Sequence, residues 1–224
     1  MTTNIALRIE ELQRELPPQT RLVAVSKYHP AEAIMQAYDA GQRIFGESHV
    51  QELRPKYEQL PKDISWHFIG HLQTNKVKYI APFISLIHAV DSYKLLTEIS
   101  KQGQKCNRVI PCLLQIHIAQ EPTKFGFTLE ECRQMLLQAN PNELTHVRID
   151  GLMCMATQTD DEQQIRQEFH TVNQFFHELQ ATYFSHSPNF TQCSWGMSHD
   201  YRLAIEEGST LVRIGSSIFG PRAY

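Results

Sequence analysis

Three short stretches hold residue types suited to chemistry. Lys27 closes the run Leu22-Val23-Ala24-Val25-Ser26, which is apolar and β-branched like a buried strand. Gly215-Ser216-Ser217 follows a second such run, Leu211-Val212-Arg213-Ile214, and Gly196-Met197-Ser198 stands just before a helical pattern. A lysine amine in low-dielectric surroundings has its pKa lowered and can attack an aldehyde to form a Schiff base. Glycine lets the backbone come close, serine hydroxyls donate to phosphate oxygens, and N–H groups at a helix start favour an anion. An aldehyde that carries a phosphate needs both sets. Arg213 lies two residues before Gly215, so strand alternation puts the two on one face. Each feature alone has an ordinary explanation. A lysine after a strand is usually solvated, Gly-Ser-Ser is usually a turn, and Arg213 could pair with a carboxylate.

The elements between these stretches decide whether they can meet. Strand-like segments fall at 22–27, 43–46, 65–70, 86–90, 109–118, 147–154, 192–197 and 211–215. Helical patterns lie between them: Pro30–Ala40, Ser48–Gln59, Thr74–Ile80, Ser92–Gln102, Thr128–Asn140, Asp160–Tyr183 and His199–Glu207, with an extra amphipathic helix at Ile5–Leu16. Pro30 suits a first helical turn, Ser92 and Thr128 suit N-caps, Glu131 completes a capping box, and Gly41 suits a left-handed helix end. Strict alternation of strand and helix means a parallel sheet, and this number of repeats favours a closed (β/α)8 TIM barrel over an open doubly wound sheet. No Gly-x-Gly-x-x-Gly follows the first strand, which weighs against a dinucleotide fold. In such a barrel the active residues sit at the C-terminal strand ends, and phosphate binds after strands seven and eight. Strands one and eight are neighbours, so Lys27, Ser198 and Gly215 are expected at one mouth.

Composition narrows the field. The 224 residues are 42% hydrophobic and 20% charged, with a net charge of −3. That is globular usage with no basic run, so neither nucleic acid nor an acidic membrane is an expected partner. No stretch reaches the length of a membrane span, and the N-terminus lacks a signal-peptide pattern. The widely spaced cysteines Cys106, Cys112, Cys132, Cys154 and Cys193 read as reduced core thiols in a cytoplasmic protein. No linker or repeat is visible, so residues 1–224 are expected to form a single domain.

Longer motifs carry a resemblance. Leu22-Val23-Ala24-Val25-Ser26-Lys27, Phe45-Gly46-Glu47, Trp66-His67-Phe68-Ile69-Gly70-His71-Leu72-Gln73-Thr74-Asn75-Lys76, Gly151-Leu152-Met153, Gly196-Met197-Ser198-His199-Asp200 and the tail from Ala204 to Gly220 resemble the pyridoxal phosphate homeostasis protein family. The resemblance implies one barrel like the N-terminal domain of alanine racemase, the fold type III arrangement of pyridoxal phosphate proteins. It implies pyridoxal 5′-phosphate as cofactor, held as an aldimine on Lys27. Ser198, Gly215 and Ser216 would hold the phosphate, with Met197 and Ser48 beside the cofactor and Arg213 facing the pyridine nitrogen. An arginine there keeps that nitrogen unprotonated and weakens the ring as an electron sink. Two departures stand out. Ser48-His49 replace the family's usual asparagine and tyrosine, which shortens any polar contact from that position. Thr123-Lys124-Phe125 stand where the family tends to have Ser-Lys-Ser or Ser-Lys-His, and Phe125 is expected to change the rim.

The expected role is therefore intracellular pyridoxal phosphate homeostasis by a monomer, with little or no catalysis and with pyridoxal phosphate-dependent apoenzymes as recipients. No catalytic residue is assigned. Alanine racemase needs an added C-terminal domain and a tyrosine base from it, whereas this chain stops at Tyr224, soon after the last strand. The alternatives are a pyridoxal phosphate-dependent amino acid racemase or lyase, with Lys27 as one base, and a cofactor-free Schiff-base aldolase. Other signals are discounted. His67 and His71 are four apart but straddle Gly70, so no metal site is expected, and His71 is placed at the mouth. Asp160-Asp161-Glu162 reads as a helix N-terminus. Phe169, Val172, Phe175, Phe176 and Leu179 read as a helix core face. Met153, Cys154 and Met155 read as barrel interior or rim.

Overall fold

Alternation along the strands separates two apolar populations. In the first strand Leu22 and Ala24 join the large core between sheet and helices, whereas Val23 joins a small cluster with Leu86, Ala89, Leu113, Met153 and Leu211. Val212 and Ile214 likewise face the large core while Leu211 faces the small one. A sheet apolar on both faces must be covered on both, and closing it around its own interior does this without leaving edges. The computed structural model describes residues 4–121, 125–138 and 144–220 and shows that solution: a closed barrel of eight strands in sequential order.

The strands are β1 (Arg21–Val25), β2 (Ile44–Glu47), β3 (Ser65–Phe68), β4 (Leu86–Val90), β5 (Ile110–Ile116), β6 (Val147–Cys154), β7 (Gln192–Met197) and β8 (Leu211–Ile214). Each neighbouring pair is parallel, and β1 closes onto β8 with Val23 opposite Arg213. The helices are α1 (Ile5–Glu15), α2 (Ala31–Asp39), α3 (Val50–Gln59), α4 (Val77–Ile80), α5 (Tyr93–Lys105), α6 (Leu129–Gln138), α7 (Glu162–Ala181), α8 (Tyr201–Glu206) and α9 (Ser216–Phe219). A 3-10 turn at Thr74–Lys76 leads into α4. The expected continuation of the α6 helix to Asn140 lies partly outside the described residues.

Local chemistry explains the helix limits. Ser92 accepts from the Leu95 N–H at 3.3 Å. Thr128 and Glu131 form the reciprocal capping box, with Glu131 N–H donating to Thr128 Oγ1 at 3.1 Å and Thr128 N–H to Glu131 Oε2 at 2.8 Å. Asp161 caps α7 by accepting from the N–H groups of Gln163 and Gln164. Gly41 ends α2 at φ 94. Pro30 falls one place earlier than expected, at the N-cap, because α2 begins at Ala31. The stripe Phe169, Val172, Phe175, Phe176 and Leu179 is buried in the core, as its spacing implied.

One boundary differs in a way that matters. β1 stops at Val25, so Lys27 lies in the turn beyond the strand rather than closing it. The Ser26 N–H still reaches Gly46 O at 3.0 Å, but the chain then folds back, with His29 N–H on Ser26 O at 3.1 Å and Tyr28 at φ 66. The lysine is thus mounted on a tight turn at the mouth.

Candidate functional site

The residues expected to meet do meet. Lys27, Ser48, Met197, Ser198, Arg213, Gly215 and Ser216 all line one cavity of about 310 Å³ at the C-terminal end of the barrel. Its walls also include His29, Ile69, Met155, Gln158 and His199, which sequence reasoning had not assigned to the site. Of these Ile69 and His199 stood within the motifs quoted above and Met155 was read as barrel interior or rim, whereas Gln158 and His29 carried no assignment. Ser217 lines an adjoining groove of about 810 Å³ that shares Ser198 and His199 with the site.

The glycine-serine side of the cavity is built by two turns tied together. Ser198 Oγ, after β7, accepts the Gly215 N–H, after β8, at 3.2 Å. Asp200 Oδ1 holds the Met197 N–H at 2.5 Å, which fixes the first turn. Gly196 sits at φ 91, and a Cβ there would stand 2.6 Å from the Ala204 Cβ, so this turn accepts neither a side chain nor another backbone shape. At Gly215 an added Cβ would come within 3.1 Å of Val25 O, so glycine lets α9 start directly against β1. In α9 the N–H groups of Ile218 and Phe219 donate to Gly215 O at 2.9 Å, which leaves those of Ser216 and Ser217 without a backbone acceptor at the helix start. With the hydroxyls of Ser198 and Ser216 they form a set of donors with no carboxylate among the lining residues.

Arg213 approaches from the barrel interior and is almost fully buried, at 4% exposure. It pairs with no carboxylate among the described residues. Its Nη1 donates to Ser194 O at 2.6 Å and Ser194 Oγ at 2.7 Å, and its Nη2 donates to Cys154 O at 2.9 Å. Behind it runs a chain of buried groups: Ser194 Oγ lies 2.8 Å from His88 Nδ1, and His88 Nε2 lies 2.9 Å from His67 Nδ1. Guanidinium only donates, so Ser194 Oγ accepts from Arg213 and its own proton is available for His88 Nδ1. With Ser194 donating to His88 Nδ1, His88 carries its proton on Nε2 and donates to His67, which then carries its own on Nε2. Burial first, then nearby cations, hold both rings neutral: His67 is pushed down to about 3 and His88 well below its ordinary 6.5. His67 therefore belongs to a barrel-interior chain, and the partner that defines it is His88.

His71 is not among the cavity-lining residues. It stands on the rim, with Nδ1 2.9 Å from Asp91 Oδ2, and stacks on the exposed Phe125 with ring centroids 4.3 Å apart. The Phe125 departure thus shapes the rim, as expected; Pro122, Thr123 and Lys124 lie outside the described residues. His49, the other departure, accepts a different role from a tyrosine. Its ring lies 5.2 Å from that of Tyr28, and its Nδ1 is 3.0 Å from Glu52 Oε1. Cys112, Cys132, Cys154 and Cys193 are buried, and burial pushes the Cys132 thiol up to about 12.

With the geometry in place, comparison with known proteins is decisive about family. Residues 2–223 match the family model for the alanine racemase N-terminal domain. A pyridoxal phosphate homeostasis protein of Aquifex aeolicus is 40% identical over 205 residues, covering 91% of this chain and 88% of its own. The chain belongs to the pyridoxal phosphate homeostasis protein family. A solved structure in agreement is PipY of Synechococcus elongatus PCC7942 with pyridoxal phosphate bound, at TM-score 0.88 and 37% identity, covering 96% of this chain and 100% of that one. Alanine racemase from Bartonella henselae shares the barrel, at TM-score 0.71 and 16% identity over 98% of this chain and 59% of its own. At that identity the likeness concerns fold alone. Among the described residues of this family member, no helix is long and apolar enough to cross a membrane.

Proposed function

We propose that this protein binds pyridoxal 5′-phosphate, covalently on Lys27, and serves in its cellular homeostasis with little or no turnover of an external substrate. One observation carries the reading: an amine, a carboxylate-free cup of serine hydroxyls and helix N–H groups, and a buried guanidinium converge on a single cavity although they come from opposite ends of the chain. The cavity lies at the lower end of the usual range for small-ligand sites, about 300–1,000 Å³. Ser198, Gly215, Ser216 and the first turn of α9 supply the anion-binding side. Met197 and Ser48 flank the space between. Arg213 supplies a cation that cannot give up a proton at ordinary pH. The names of the relatives and the cofactor in the PipY structure point to the same ligand.

When bound, pyridoxal phosphate supplies an electron sink whose strength depends on what faces its pyridine nitrogen. Arg213 uses three of its five N–H groups on Ser194 and Cys154, which leaves others for an acceptor in the cavity and none that could accept a proton. A site of this kind favours holding the cofactor over promoting carbanion chemistry. We also read the whole of residues 1–224 as one cofactor-binding domain, working as a cytoplasmic monomer that hands its cargo to apoenzymes.

The test is spectroscopic. Wild-type protein given pyridoxal phosphate should gain a Schiff-base absorption band, and borohydride should fix the label on Lys27. The reading fails if no band forms, or if Lys27→Ala keeps it. A racemase or lyase reading has one observation in its favour, that His29 and His199 line the cavity and could act as a second base. Solvent deuterium exchange at the α-carbon of a panel of amino acids, at rates near the enzyme median of about 10 s⁻¹, would favour that reading instead.

A further inference from the structure

The peptide groups on either side of Lys27 are gripped by charged side chains from one neighbouring element. Lys56, on α3, donates from Nζ to Ser26 O at 2.9 Å, directly before Lys27. Glu52, one turn earlier on α3, accepts the Tyr28 N–H on Oε2 at 2.8 Å, directly after Lys27. Glu47, at the end of β2, joins the two: its Oε1 accepts from Ser26 Oγ at 2.6 Å and from Lys56 Nζ at 2.7 Å. Lys56 Nζ also lies 3.4 Å from Glu52 Oε2, so the three charges form one cluster.

Two features say that this cluster does more than hold the fold together. Lys56 and Glu47 are buried, at 8% and 0% exposure. A buried ion pair is weak evidence for stability, since well-packed apolar residues of similar volume do as well or better. Its surplus over an apolar pair is directional, because it fixes atoms rather than filling space. The second feature is the strain it fixes. Tyr28 holds φ 66, a conformation that non-glycine residues keep only where their surroundings over-determine it. The Glu52 contact on its N–H is one such determinant, and Lys56 on Ser26 O is another, beside the His29 N–H on that same oxygen.

We propose that Lys56 and Glu52 are positioning residues that set the direction in which Lys27 leaves its turn, and so govern how fast and how tightly it takes up an aldehyde. Neither is assigned contact with the ligand. The proposal rests on the reading of Lys27 as the covalent anchor for pyridoxal phosphate.

The experiment compares wild type with Lys56→Met, Lys56→Arg, Glu52→Ala and Leu53→Ala, each as the full chain. Wild type is titrated first; if it gains no Schiff-base band, the cofactor reading fails and the positioning question with it. Given a band, stopped-flow absorbance reads the rate of its formation and a titration reads retention. Folding is followed by thermal melting, and hydrogen exchange of the Tyr28 amide is measured in the protein without cofactor. Lys56→Met and Glu52→Ala should slow band formation on the order of tenfold to a hundredfold, the usual effect of misplacing a reacting group by about 1 Å. The Tyr28 amide should exchange faster in both. Lys56→Arg, which keeps donors near Ser26 O, should recover much of the rate. Leu53, a fully buried neighbour on the same helix outside the cluster, controls for stability: Leu53→Ala should lower the melting temperature and leave the rate near wild type. The proposal is overturned if folded Glu52→Ala reacts at the wild-type rate, or if Leu53→Ala slows the reaction as much as the cluster variants do. Should Lys56→Met not fold, Glu52→Ala and Lys56→Arg decide the matter.

Discussion

Ser48 is a single residue whose chemistry can be tested on its own. It lines the cavity where the family usually places asparagine, and it does so under a tight constraint, since a Cβ on Gly70 would stand 2.8 Å from the Ser48 Cβ. The longer amide reaches farther into the cavity from the same backbone position. A net hydrogen bond contributes about 0.5–1.5 kcal/mol, so Ser48→Asn should tighten pyridoxal phosphate retention by a few-fold to tenfold, read from the cofactor titration; weaker retention would mean the cavity has no room for it. At this scale the sequence was most legible. Lys27, Ser198, Gly215 and Arg213 were legible because a barrel brings them to one mouth, although each alone has an ordinary explanation. Glu52 and Lys56 were not, because acidic and basic residues spaced along a helix look like a solvated face, and Glu47 stood out only as part of the motif Phe45-Gly46-Glu47, with no role attached to it. Only the fold shows that Lys56 turns inward and reaches a carbonyl thirty residues back, at Ser26.

Among the elements, β6 is the one whose order depends most on one atom's absence. The register against β5 slips between Cys112 and Leu113, leaving Asp150 as the extra residue before Gly151. A Cβ on Gly151 would lie 1.9 Å from Gln192 O, which is backbone of β7 and cannot rotate away. Gly151→Ala should therefore destabilise by about 3 kcal/mol or more, the upper range for overpacking. In a chain of this size each kcal/mol lowers the melting temperature by about 2–4 °C. A melting temperature within 2 °C of wild type, roughly the effect of half a kcal/mol, would show that β6 and β7 can separate locally. Strand existence was readable from apolar runs, and strand ends were not. β1 and β3 both stop two residues short of the segments expected for them, 22–27 and 65–70, since pairing with neighbours, rather than composition, decides where a ladder ends. The bulge at Asp150 had no sequence signal beyond the glycine beside it.

For the whole molecule, the barrel interior sets a pH dependence. His67 is neutral in the folded state with a pKa near 3, against an ordinary value of 6.5, and His88 is shifted the same way. The unfolded chain therefore binds more protons through the window between these values, and stability rises with pH there. Read downward, the contribution is complete above about pH 6.5 and is lost progressively toward about pH 3. Glu47, whose carboxyl burial pushes upward despite Lys56 and Ser26, works in the opposite sense. Urea midpoints should fall between pH 6.5 and 5, where most carboxylates are still ionised, and His67→Gln should flatten that slope. An unchanged slope would mean that the rings do not stay neutral. The closed barrel itself was legible from the alternation of strands and helices. The histidine chain was not, because His67, His88 and Ser194 sit on three separate strands and become neighbours only across the interior.

The pairing of β1 with β8 has a consequence for biosynthesis. Lys27 is made early and Gly215 near the end, and ribosomes add about 5–20 residues per second. On the reading proposed above, for on the order of ten seconds or more the nascent chain carries the amine without the cup that would retain a phosphorylated aldehyde. If Lys27 anchors the cofactor as proposed, closure of the final strand is a maturation step: a chain stalled or truncated before Leu211 should stay unloaded, and only a chain that has closed the barrel should acquire colour.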